Sequence, residues 1–335
     1  MLNPLSAVSV ASVLTISFLA TFIATPIVGS AMRKRGITGR DVHKPTNVRL
    51  PEMCGIAILI GLTTGVSIYA IIFPDFIRET EAFMGTVLIA GAIGLVDDLR
   101  PLNARIKPVL TAVACLPILI LGTYYSHPSI PFVGPVSLTI IYPILIPVAI
   151  AVTSNAVNMM DVMNGAMPGT VSVILVAVTA ILMVSAKIGT AALSAALLGT
   201  LLAFYYFNRY PAKVFDGDTG SLAVGAALGA LAILGNIEVA MVVALMPHIM
   251  NAFYGLASVG GLYERREIHE RPITILGDGN LQANTAKAAP VTLVRIILAV
   301  GPLGERQIVR EMIILTLISS FLAVLTFGIT LVGRV

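Results

Sequence analysis

Four short polar segments interrupt an otherwise apolar chain, and each carries residue types suited to a cation or a phosphate. In GLVDDLRPLNARIK (94–107), Asp97 and Asp98 close an apolar run. Adjacent carboxylates there can bind a divalent cation, or shift each other's pKa so that one acts as a base. Acids at a helix C-terminus also oppose the macrodipole and need a partner. Lys107 can pair with them or with a phosphate. In NAVNMMDVMNG (155–165), Asn155, Asn158, Asp161 and Asn164 recur every three residues and form a drifting polar stripe on a helix. Amide and carboxylate oxygens are hard ligands suited to Mg²⁺. In VFDGDTGS (214–221), Asp216 and Asp218 are joined by glycines that let backbone approach a ligand, and Asp218 or Thr219 is placed to cap the following helix. ERREIHERP (264–272) brings Arg265, Arg266, His269 and Arg271, and arginine forks suit phosphate oxygens or lipid head groups. No GxxxxGK[ST] loop is present.

The elements that position these residues are membrane helices. Hydrophobic residues make up 57% of the 335 and charged residues 11%, with a mean hydropathy of +0.95. A soluble domain of this length could not hide so much apolar surface. The runs are continuously apolar rather than alternating, which selects helices over a β-barrel. The expectation is an all-α integral membrane protein of about ten transmembrane helices, near 5–32, 54–73, 83–97, 108–124, 138–156, 168–186, 188–207, 219–236, 239–262 and 311–333. The first segment reads as a retained helix, not a signal peptide. The chain forms one polytopic domain over 1–335. Within it, 263–304 is a cytoplasmic loop and interfacial segment, and 289–304 is a short helix rather than a span. The proline-rich stretch 123–137 reads as a tight outer loop. Cys54 and Cys115 read as buried small hydrophobes.

Threading ten helices puts eighteen of the 21 Lys and Arg on one side, with Arg78, Lys187 and Arg334 opposite. That side is expected to be cytoplasmic, with both termini outside. The basic balance then reflects topology and anionic substrates; no aromatic-basic module for nucleic acid is present.

In this order the motifs resemble the polyprenyl-phosphate N-acetylhexosamine-1-phosphate transferases. The likeness runs through DVHKPTNVRLPEMCG, GLVDDLRPLNARIK, TSNAVNMMDVMNG, NRYPAKVFDGDTGSLAVG and GPLGER. HERP and GPLGER are closest to the eukaryotic and archaeal branch, which transfers N-acetylglucosamine-1-phosphate from UDP-GlcNAc to dolichyl phosphate. The resemblance implies that Asn158 and Asp218 bind catalytic Mg²⁺ (Mn²⁺ is an alternative) and that Asp97 and Asp98 are the catalytic pair. It matches Lys107 with a phosphate-side lysine, Asn164 with a nucleotide contact, Glu52 with the sugar-nucleotide pocket and His269 with a loop histidine. Asn155, Asp161 and Arg271 are grouped with the substrate-binding residues. Three features depart from the pattern. Ile268 and Glu270 flank the histidine where arginines are expected, so Arg271, or Arg265 and Arg266, must substitute. Asp216 stands where an apolar residue is usual. Asp161 follows the bacterial pattern.

The implied partners are a UDP-sugar, a polyprenyl phosphate, membrane lipids and a possible second copy of the chain. The implied setting is a prokaryotic, archaeal-type plasma membrane. A bacterial-type transferase for undecaprenyl phosphate is the nearest alternative. An ion-coupled transporter is the alternative of another class.

Overall fold

The computed structural model describes residues 4–44, 48–262 and 270–332. The helices follow the apolar runs: α1 (Pro4–Lys34), α2 (Gly55–Ile72), α3 (Ile77–Leu99), α4 (Ile106–Val113), α5 (Leu116–Leu121), α6 (Tyr142–Met160), α7 (Ala166–Val184), α8 (Ile188–Asn208), α9 (Gly217–Gly235), α10 (Glu238–Ala244), α11 (Met246–Val259), α12 (Leu293–Ile297) and α13 (Glu305–Val332). Among the described residues, eight are long and apolar enough to cross a membrane, and α10 with α11 makes a ninth if counted as one bent span.

Two expected spans are broken, each beside a proline. The 108–124 segment forms α4 and α5, with Pro117 in the first turn of α5. Together they fall short of the roughly 20 residues that cross a bilayer. The 239–262 segment bends by 66° between α10 and α11, where Pro247 opens α11. Proline lacks the N–H that would continue the helix, and its ring crowds the carbonyl four residues earlier. The 289–304 stretch holds the five-residue α12, capped by Thr292, whose side chain accepts from the Arg295 N–H, and a 3-10 turn over Leu298–Val300.

α8 and α9 form the interior, while α1 and α13 lie at the periphery and present Leu19, Ile23, Ile27 and Phe321 outward. α1 packs on α8 and α2, α3 and α6 pack on α9, and α7 packs on α8 and α13. Small residues let backbones approach closely, as bilayer packing favours. A Cβ on Gly94 of α3 would lie 2.2 Å from the Asp218 carbonyl oxygen, and one on Gly225 of α9 would lie 2.5 Å from the Ser154 Cα on α6. These contacts bring the C-terminal ends of α3 and α6 against the N-terminal end of α9.

A hairpin, Thr38–Arg40 with Arg49–Pro51, follows α1 at the same end. Phe215 N–H donates to the Pro51 carbonyl, and Cys54 and Gly55 donate to those of Phe215 and Asp216. A second hairpin, Ile273–Ile275 with Leu281–Ala283, pairs through Leu281 with Leu303. It packs with α12 and the start of α13 over Met160, Met163 and Ala166.

Candidate active site

The end of α3, the start of α4, the end of α6 and the start of α9 meet around the Lys107 ammonium group. Lys107 Nζ lies 2.7 Å from Asp97 Oδ2, also binds Asp218 Oδ2, and donates to Asn158 Oδ1 at 3.3 Å. Asn158 Nδ2 donates to Asp218 Oδ1 and Ser221 Oγ, each at 2.8 Å, which turns its carbonyl oxygen toward Nζ. Asp97 Oδ1 accepts the Leu102 N–H at 2.5 Å. Three hard-oxygen side chains thus converge on one positive charge. Carboxylate and amide oxygens are donors of the type that suits Mg²⁺, and here they surround the Lys107 ammonium.

Asp98 has a different geometry from Asp97. Its carboxylate accepts from the Asp218 N–H at 2.8 Å, the Thr219 N–H at 3.0 Å and the Thr219 hydroxyl at 2.6 Å. The first N–H groups of a helix have no partner within it, and the positive dipole end favours an anion. Asp98 therefore caps α9 from another helix. The expectation that Asp218 or Thr219 would cap α9 is corrected: both offer donors to Asp98, and no side chain of the helix's own N-cap residue does so. A Cβ on Gly217 would meet the Asp98 carboxylate at 2.7 Å, so glycine at φ +71° leaves room for the cap.

Glu52 follows the first hairpin and faces Asp98; burial first, then the Asp98 charge, raises its pKa. Asp161 and Asp216 bring carboxyl to carboxyl beside this centre. Burial lifts Asp161 to about 6. Burial and the Asp161 charge raise Asp216 well above the ordinary carboxylate range. Asp216 is 2% exposed, and its Oδ2 has no hydrogen-bond partner among the described residues.

The other expected residues are placed separately. Asn155 Nδ2 donates to Thr111 Oγ1 and the Ala151 carbonyl, each at 2.8 Å, and so ties α6 to α4. Asn164 lies in the α6–α7 turn, where its N–H donates to Glu305 Oε1 and its Nδ2 to Asp41 Oδ2. Arg271 is exposed before the second hairpin, and its carbonyl accepts from Asn284. Among the described residues, no hydrogen bond or ion pair ties its guanidinium to the Lys107 cluster. His269, Arg265 and Arg266 lie outside the described residues.

Asp41 and Glu305 escaped sequence reasoning as site residues, although their motifs, DVHK and GPLGER, were visible. Nothing local shows that positions 264 residues apart converge on one turn. Ser221 was equally hidden, one helical turn beyond the acids.

A bundle of apolar helices with a cluster of carboxylates, an amide and a lysine at one end defines a polytopic membrane protein with a polar site where helix ends meet. The profile of glycosyl transferase family 4 matches residues 81–236. A Saccharolobus solfataricus protein, provisionally named a UDP-N-acetylglucosamine–dolichyl-phosphate N-acetylglucosaminephosphotransferase, is 32% identical over 70% of this chain and 74% of its own. A Methanocaldococcus jannaschii protein provisionally named a glycosyltransferase is 28% identical over 94% and 96%. The phospho-N-acetylmuramoyl-pentapeptide-transferase of Shouchella clausii is 32% identical over 69% and 76%. The chain belongs to glycosyl transferase family 4.

Proposed function

We propose that the protein transfers N-acetylglucosamine-1-phosphate from UDP-GlcNAc to a polyprenyl phosphate of the dolichyl type, releasing UMP. The observation that carries this reading is the convergence of Asp97, Asp218 and Asn158 oxygens on the Lys107 ammonium, at helix ends. The archaeal relative's name supplies the substrates. An ion-coupled transporter would place its acids near the bilayer midplane.

A lipid phosphate oxygen attacks the β-phosphorus of the nucleotide, and UMP departs as the β-phosphorus–oxygen bond to it breaks. A phosphate monoester has its second pKa near 6 and is mostly ionised at pH 7, so it needs little help from a base. Asp97 orients Lys107, and Lys107 offers a positive charge on a flexible stem to a phosphate oxygen. Asn158 and Asp218 would hold Mg²⁺, which when bound neutralises diphosphate charge and stabilises the leaving group. Asp98 acts through the backbone of Asp218, setting that carboxylate in the first turn of α9. Asn164 contacts the nucleotide, and Glu52 lies on the sugar-nucleotide side.

The excess of Lys and Arg at this end of the bundle supports a cytoplasmic site and outward termini. Radiolabelled transfer in detergent tests the reading: UDP-GlcNAc, UDP-GalNAc and UDP-MurNAc-pentapeptide are offered with dolichyl and undecaprenyl phosphate. Preference for UDP-GlcNAc and dolichyl phosphate supports it. Preference for UDP-MurNAc-pentapeptide and undecaprenyl phosphate would replace it with the bacterial activity.

A further inference from the structure

The α6–α7 turn is held by three buried side chains from distant parts of the chain. Asn164 N–H donates to Glu305 Oε1 at 2.8 Å, and Gly165 N–H donates to Asn208 Oδ1 at 3.0 Å. Asn164 Nδ2 donates to Asp41 Oδ2 at 3.1 Å. Asp41, Asn164, Asn208 and Glu305 are between 2% and 6% exposed. Gly165 sits at φ +84°, a backbone conformation that side-chain-bearing residues rarely adopt. The turn is therefore set by Gly165 together with residues 41, 208 and 305.

Asp41 also decides which end of the Asn164 amide faces it. Its Oδ2 lies 2.5 Å from Lys44 Nζ, and in that ion pair the carboxylate oxygens act as acceptors. The NH₂ of Asn164 must face it, and Oδ1 turns away. A reversed amide would set oxygen against oxygen. Donor atoms of Asp41, His43 and Glu305 also lie within 4.8 Å of one another. Within that group Lys44 pairs with Asp41.

We infer that Asp41 and Glu305 are positioning residues that hold Asn164 with Oδ1 as a fixed acceptor for a base N–H, and that they thereby set base selectivity. The inference rests on the nucleotide role of Asn164 given above. Uracil presents an imide N3–H; cytosine presents a lone pair at that position. A site built to accept an N–H rejects the base that lacks one, because two acceptors then face each other. Glu305 fixes the backbone of Asn164 and Asp41 fixes its amide, so loss of either loosens the same oxygen.

The test uses the full-length enzyme in detergent, with UMP and CMP as competing probes. Asp41→Asn offers either an oxygen or an NH₂ and abolishes the lock. Glu305→Ala removes an acceptor that Glu305→Gln keeps. Asp41→Asn and Glu305→Ala are expected to raise KM for UDP-GlcNAc about tenfold, more than they lower kcat. The ratio of CMP to UMP inhibition constants should fall about tenfold, and Glu305→Gln should restore most of it. If a variant does not turn over, the melting shifts produced by UMP and by CMP give the same ratio. An unchanged ratio in both Asp41→Asn and Glu305→Ala overturns the inference, as does Glu305→Gln behaving like Glu305→Ala. A wild-type enzyme that transfers GlcNAc-1-phosphate while the ratio stays fixed isolates that failure. A wild type that releases no UMP from UDP-sugars instead removes the proposed function, and this inference with it.

Discussion

Replacing Asp98 by Asn tests whether this acid is a reacting group or a cap. The wild-type carboxylate accepts three hydrogen bonds from Asp218 and Thr219. The amide keeps one oxygen and turns an NH₂ toward the remaining donors. A donor left without an acceptor in a buried setting costs about 1–3 kcal/mol. Loss of the negative charge at the helix N-terminus adds about 0.3–1 kcal/mol. Asp98 is only partly buried and the terms overlap, so the expected destabilisation is about 2–3 kcal/mol. The chain has no Trp, but Cys54 and Cys115 are both buried, so a thiol-reactive dye reports unfolding in detergent. The Asp98→Asn variant should melt several degrees earlier than wild type. It should also need more Mg²⁺ for half-maximal activity, because Asp218 is no longer held. Asp97→Asn should lose turnover with a smaller change in melting, since Asp218 still holds Lys107. If Asp98→Asn melts like wild type while its activity is lost at every Mg²⁺ concentration, Asp98 acts in the chemistry itself and the cap reasoning fails.

Three further outcomes follow from the packing and charge around the site. Gly94→Ala puts a methyl group 2.2 Å from the Asp218 carbonyl, so the variant should lose at least the roughly 1–3 kcal/mol typical of overpacking, along with activity. Wild-type melting would show that α3 can move aside. In the folded state Asp161 and Asp216 are raised above their unfolded value of about 4, so their contribution to stability is complete below that pH; that of Asp161 declines as pH rises through about 6, and that of Asp216 as pH rises through its own raised pKa. The decline is about 1.4 kcal/mol per pH unit for each group protonated only in the folded state. Loss of folded protein on heating, read by size exclusion between pH 5 and pH 7, should depend less on pH in Asp216→Asn, and an identical slope would contradict the raised values. Single cysteines at 128 and 278 should label from opposite sides of sealed vesicles; labelling from one side would overturn the threading.

The polar residues of the Lys107 cluster stood out in the sequence, although Lys107 meets Asn158 and Asp218 across 51 and 111 residues. Acids and amides at the ends of apolar runs need a partner, and Asp97, Lys107, Asn158 and Asp218 find it in one another. Asp98 was half-read: its adjacency to Asp97 suggested shared chemistry, but its partner is a helix terminus 120 residues away. The α3–α9 contact at Gly94 that creates the cap leaves no local pattern. Asn155 belonged to the same polar stripe as Asn158, yet the stripe drifts around α6, and one turn earlier it meets Thr111 on α4 instead. The break between α4 and α5 was missed because the run stays apolar through Pro117, and a proline alone does not say whether a helix kinks or ends. Asp41 and Glu305 lay beyond reach because they act on a turn that neither adjoins in sequence.

The central claim is attack at the β-phosphorus, and UDP-GlcNAc labelled with ³²P in the β-position tests it most directly. The purified protein is incubated with dolichyl phosphate and Mg²⁺, and the organic and aqueous phases are counted. Label is expected in the lipid phase and unlabelled UMP in water, with both lost in Asp218→Asn. Label that remains in water as UDP while sugar reaches the lipid would contradict it, because the bond broken would then be the glycosidic one.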